Sequence, residues 1–111
     1  WIKGNVTRFD FSTLKQGLCL KVPHMGWNVV NPRSYENLYA GLEKEARYYF
    51  VHSYHVNCDY PSNILATSNY GYEFTCCIRQ ENIWGVQFHP EKSHFFGVQF
   101  FKNFLNIIGN A

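Results

Sequence analysis

The 111 residues hold no C-x-x-C pair, no run of lysine and arginine, no long apolar stretch and no internal repeat. Each lack removes a class of protein. Without a basic cluster, and with a formal net charge of only +2, the chain has no electrostatic footprint for nucleic acid. Without a membrane-length apolar run or a signal-peptide pattern, no membrane role is expected, and a cytoplasmic protein is. A leader lost ahead of Trp1 would change that expectation. No methionine opens the sequence, which favours a fragment or a processed chain. Without low-complexity tracts or linkers, residues 1–111 are expected to belong to a single domain.

Cysteine is present but unpatterned: Cys19, Cys58, Cys76 and Cys77. Adjacent Cys76 and Cys77 would point to opposite faces of a strand. Free thiols in a reducing compartment are the plain reading. Zinc is the rival, given five histidines, but the paired ligand spacing of a structural site is missing, so no metal is expected.

What the sequence has in excess is aromatic residues: 10 Phe, 8 Tyr and 3 Trp, or 19%. A short chain buries a modest fraction of its surface. Some of this aromatic surface is therefore expected to pack against a partner or against another part of the same domain. With 46% apolar and 16% charged residues the composition is globular.

Periodicity predicts a run of strands and one terminal helix. Strands are expected over residues 1–9, with Ile2 and Val6 on one face, over 18–22, and over 48–56. Residues 24–32 read as a loop marked by Gly26 and Pro32. Ser34 could cap a short helix with Tyr35, Leu38, Tyr39 and Leu42 on one stripe. Residues 64–68 and 73–79 read as an antiparallel pair around a turn with Asn69 and Gly71. The apolar stretch 83–88 suits a strand buried on both faces. From Ser93 onward, Phe96, Phe100, Phe101, Phe104, Leu105 and Ile108 form a broad helical stripe, ending at Gly109.

The chemistry lies where the apolar stretch ends, in Gly85-Val86-Gln87-Phe88-His89-Pro90-Glu91-Lys92-Ser93. Residues two apart in extended backbone project to one side, so His89 and Glu91 can meet if the chain stays extended through Pro90. A carboxylate that accepts the Nδ1 proton of His89 leaves Nε2 free to act as a base. On spacing alone, surface decoration is the commoner explanation of His-x-Glu. His24 and His52 have no such carboxylate motif and read as structural.

The wider motif resembles the C-terminal triad segment of class I glutamine amidotransferases. Two further segments resemble one branch of them, the glutaminase subunit of imidazole glycerol phosphate synthase. These are Lys21-Val22-Pro23-His24-Met25-Gly26-Trp27-Asn28 and Tyr49-Phe50-Val51-His52-Ser53-Tyr54. The motif order and the tail Glu91-Lys92-Ser93-His94…Gly97 agree, so the resemblance spans nearly the whole chain. It implies an α/β, flavodoxin-like fold: a mostly parallel central sheet with flanking helices and a small antiparallel extension. This chain would be the C-terminal part. It implies a Cys–His–Glu triad in which His89 moves protons and Glu91 orients it. Ser53 and Tyr54 would help hold glutamine. Trp27, Tyr49 and Lys92 would lie toward a cyclase subunit built as a β/α barrel, which receives the ammonia in histidine biosynthesis. Plain core packing is the alternative for Trp27 and Tyr49. No cofactor is implied.

The nucleophile of that triad is not expected here. Gly17-Leu18-Cys19-Leu20 starts like its Gly-x-Cys-x-Gly turn, but Lys21 stands where the glycine belongs and Pro23 follows. Cys19 also sits too close to the PHMGWN segment. The glycine-rich oxyanion segment is absent too. The chain alone is therefore expected to be inactive and poorly soluble. A paralogue feeding a sugar-modifying synthase for surface polysaccharide, and a truncated interaction module, are the alternatives.

Overall fold

The computed structural model describes residues 2–11, 20–42 and 46–109. Eight strands and one long helix are found among them: β1 Gly4–Arg8, β2 His24–Val29, β3 Asn31–Pro32, β4 Arg47–His52, β5 Tyr54–Cys58, β6 Ile64–Asn69, β7 Glu73–Gln80, β8 Ile83–Val86 and α1 His94–Gly109. Six strands form one sheet along the path β1-β5-β7-β6-β3, with β8 on β7; β2 and β4 form a second, two-stranded sheet.

Every pairing between these strands is antiparallel. The mostly parallel sheet implied by the resemblance is therefore not contributed by the described strands. The connections explain this: a parallel pair needs a crossover of a dozen or more residues. Here β6 and β7 are separated only by residues 70–72, and β7 and β8 by Glu81 and Asn82.

The expected strand over 48–56 is two strands in different sheets. Ser53 is the corner, and its carbonyl accepts a hydrogen bond from Phe9 N at 3.0 Å. The expected loop over 24–32 is β2 and β3. Gly26 has φ +125°, which suits glycine, but it lies within β2 and ends nothing. Pro32 sits in β3 at the sheet's edge, where no ladder donor is lost. Of the helix predicted from Ser34, only a 3-10 turn at Asn37–Tyr39 forms. Asn37 takes φ 54°, which a helix forbids, although Leu38, Tyr39 and Leu42 are buried as the stripe suggests. Of the strand predicted over 18–22, residues 18–19 lie outside the described residues, and 20–22 are not in a strand.

β8 is not buried on both faces: Ile83 and Val86 are exposed. It pairs only with β7, sharing that strand's edge with β5, and α1 covers one side through a Trp84–Phe104 edge contact. The terminal helix starts one residue after Ser93 and packs by a narrower stripe than expected. Phe100 is buried, with Phe96, Phe104 and Ile107 against the core. Phe101, Leu105 and Ile108 are instead exposed, beside Val98. The helix is apolar around more of its girth than one sheet face can cover.

Buried Asn103 ties α1 down. Its Nδ2 donates to Leu38 O at 2.9 Å and Ala40 O at 2.8 Å. Tyr48 and Phe50 from β4 are fully buried at the centre, against Phe88 and Phe74.

Candidate active site

The stretch after β8 stitches the two sheets together. Gln87 N still bonds Cys76 O on β7 at 2.8 Å, and two residues on His89 N bonds Tyr49 O on β4, also at 2.8 Å. The chain then turns through a 3-10 segment at Pro90–Lys92. His89 keeps extended backbone, φ −104° and ψ 94°, as a residue before proline should. Extension does not continue through Pro90, contrary to the simple expectation. The tight turn still brings the side chains together, with His89 Nδ1 to Glu91 Oε1 at 2.8 Å. Both are accessible, the ring 38% and the carboxylate 52% exposed. A carboxylate can only accept, so Nδ1 carries the proton and Nε2 of the neutral ring keeps its lone pair.

Ser93 holds this turn, a role that the sequence pattern does not reveal. It is fully buried. Its Oγ donates to His89 O at 2.6 Å and accepts from Tyr49 N at 3.0 Å. Gly97 completes the seat: a Cβ there would lie 1.8 Å from Pro90 O. Only glycine lets α1 press so close to the turn. The serine and glycine of the tail motif thus have a mechanical reason.

The other predicted residues fall in two places. Trp27 and Tyr49 are register partners across β2 and β4. Trp27 is exposed, stacks on His94 at 5.5 Å between ring centres and meets Tyr49 edge-on at 6.1 Å. Lys92 Nζ lies 5.9 Å from the Tyr49 ring centre, within cation–π reach. This group adjoins His89 through the Tyr49 backbone. Ser53 and Tyr54 follow His52, whose ring lies near enough to His89 for their charges to repel.

No described cysteine is a poised nucleophile. Burial raises the thiol of Cys76 well above its usual range and pushes Cys77 up to about 11. Cys58 is also raised, by burial and then by Asp59. A thiolate nucleophile needs the opposite shift. Cys19 lies outside the described residues. Among the described residues, no cluster of three or more His, Cys, Asp or Glu could hold a metal, and no helix is long and apolar enough to cross a membrane.

This chain belongs to the class-I glutamine amidotransferases: residues 14–107 match that family, described as Glutamine amidotransferase class-I. Within the family it is similar to imidazole glycerol phosphate synthase subunit HisH of Leptospira borgpetersenii, 44% identical over 107 residues, which cover 96% of this chain and 52% of that protein. It is 49% identical over 108 residues to subunit HisH 2 of Pseudomonas aeruginosa, covering 97% of this chain and 51% of the relative. The chain thus spans about half the length of the curated relatives it matches. In fold it resembles the crystal structure of a putative GMP synthase protein from Thermoplasma acidophilum. The TM-score is 0.70 at 23% identity, over 96% of this chain and 49% of the other.

Proposed function

We propose that this chain is the C-terminal part of a glutaminase domain and supplies its histidine and glutamate. The intact protein hydrolyses glutamine to glutamate and ammonia. It passes the ammonia to a cyclase subunit, built as a β/α barrel, that makes imidazole glycerol phosphate. The carrying observation is the 2.8 Å contact between His89 Nδ1 and Glu91 Oε1 on an accessible turn. A cysteine from the remainder of the domain gives its proton to His89 Nε2 and attacks the side-chain amide of glutamine. His89, now charged and held by Glu91, returns the proton to the leaving ammonia. Water then releases glutamate from the thioester. Ser53 and Tyr54 hold the substrate, while Trp27, Tyr49 and Lys92 face the synthase subunit.

Two observations support a missing remainder. The matched relatives are about twice as long. The outer face of α1 also leaves Val98, Phe101, Leu105 and Ile108 exposed together, as a surface normally covered within a domain would be.

The test measures glutamate released from glutamine by residues 1–111 alone and by the complete protein with its synthase subunit. Hydrolysis is expected only from the latter. Turnover by the isolated chain, or none by the complex, overturns the proposal. A second reading, the paralogue serving a sugar-modifying synthase, draws on relatives numbered as second copies, HisH 2 in Pseudomonas aeruginosa and in Methanococcus maripaludis. Supplying each acceptor in turn separates the two.

A further inference from the structure

Three histidines, His24, His52 and His55, are buried, and none has a role in the reaction outlined above. Two of them form a chain with a fixed direction. His52 Nδ1 lies 2.9 Å from the carbonyl oxygen of Tyr54, which can only accept, so the proton is on Nδ1. His52 Nε2 then has a lone pair facing His24 Nδ1 at 2.9 Å, and His24 must donate. His24 Nε2 is left to accept from Asn28 Nδ2 at 3.2 Å. Asn28 cannot turn over. Its Nδ2 also donates to Asn69 O at 2.7 Å, and its Oδ1 accepts from Val29 N at 2.8 Å. One proton arrangement satisfies the whole chain.

We infer that His24 is a positioning residue for the glutaminase reaction: the one-way chain Asn28→His24→His52→Tyr54 O fixes the backbone of Ser53–Tyr54, where the substrate is held. The inference rests on the proposed role of that segment. Ser53 is the corner between two sheets; Phe9 N holds its carbonyl at 3.0 Å, and the carbonyl of the next residue, Tyr54, is held by the His52 ring. His24, on β2, reaches it only through His52.

The chain tolerates only neutral rings. A proton on His52 Nε2 would face the Nδ1 hydrogen of His24. Relief by swapping the His24 tautomer would set its Nε2 hydrogen against the locked amide of Asn28. The surroundings favour neutrality. His24 stacks on Tyr70 and Phe50, and Phe9 and Phe74 close on both rings. The titratable groups facing the pair are Tyr70 beside His24, with His55 and His89 near His52. Burial and then the His52 charge lower His24 to about 4; burial foremost lowers His52.

The experiment uses the complete protein with its synthase subunit. Nitrogen NMR of the imidazoles at neutral pH should find His24 and His52 both protonated on Nδ1 and not on Nε2. An Nε2–H tautomer at either ring overturns the inference, and this readout needs no variant to fold. His24→Phe should raise the KM for glutamine about tenfold or more while kcat falls less. His24→Asn keeps a donor toward His52 and should recover most of the loss. An unchanged KM in a folded His24→Phe protein also overturns the inference. His89→Ala is the control: if it hydrolyses glutamine at the wild-type rate, the proposed function fails, and the tautomer result stands apart from it.

Discussion

His89 and His24 are the same side chain in opposite surroundings. His89 stands on an exposed turn, its Nδ1 held by a carboxylate and its side chain 38% exposed. His24 is 3% exposed, its Nδ1 held by a second imidazole and its Nε2 by an amide. A carboxylate stabilises an imidazolium, which suits His89 to the proton transfer proposed for it. A neighbouring imidazole does the reverse, so His24 is fit to hold geometry and not to move protons. Chemistry follows the partner and the access, not the residue type.

The comparison breaks most visibly at His89. His89→Ala in the complete protein should lower kcat for glutamine hydrolysis about 10²–10⁴-fold, the usual contribution of a general acid–base group. His24→Asn should cost far less. Equal losses in steady-state assays would erase the distinction between the two histidines.

Acid should sharpen it next. An unfolded histidine titrates near 6.5, and folded His24 near 4. Below pH 6.5 the unfolded chain takes a proton that the folded one refuses. The contribution of His24 to stability is therefore whole above 6.5, shrinks as pH falls toward 4, and is gone below. The full difference is on the order of 3 kcal/mol, at 1.36 kcal/mol per pKa unit. Urea midpoints between pH 6.5 and 5 should fall more steeply for the wild type than for His24→Asn. Parallel profiles would mean that His24 is not held neutral by the fold.

The sequence disclosed these two histidines unequally. Gly85–Ser93 carries its signal locally, because a strand, a proline and a carboxylate two residues on are all read within one stretch. The contact it forecast is present, although the 3-10 turn makes it by a route that extended geometry did not foresee. His24 and His52 lie 28 residues apart in sequence, and their pairing appears only once β2 and β4 are in register. The same limit hid β2 and β3, since Gly26 and Pro32 look like turn residues until the partners of these strands, β4 and β6, are known. It also hid the function of Asn103, whose acceptors on residues 38 and 40 are remote in sequence. The hairpin of β6 and β7 was legible because its partners are neighbours. The exposed half of the α1 stripe was misread because periodicity tells which residues are apolar, not which of them this chain can cover.

Smaller effects probe what holds the exposed histidine in place. Gly97→Ala would set a Cβ 1.8 Å from Pro90 O, a backbone atom that cannot swing aside. The cost should be about 3 kcal/mol, at the upper end of overpacking. Thermal melts of the complete protein would register it. A melting temperature unchanged by the alanine would mean that α1 does not press on the turn.

Ser93→Ala is the mildest and most diagnostic change. The hydroxyl donates to His89 O and accepts from Tyr49 N, so one oxygen fixes the turn to β4 from both sides. Alanine fits the buried space, and no cavity larger than the oxygen opens. What is lost is one donor and one acceptor: Tyr49 N is left unmet, while His89 O keeps Lys92 N at 3.1 Å, for a cost of about 1–2 kcal/mol. Because His89 N still bonds Tyr49 O, the turn should loosen rather than detach. His89 would keep Glu91 but lose its fixed distance to the thiol proposed for the rest of the domain, so kcat should drop roughly tenfold. The KM should hold, because Ser53 and Tyr54 are anchored elsewhere. A rise in KM with kcat intact would place Ser93 with the substrate segment instead, and would join the two regions that the histidines keep apart.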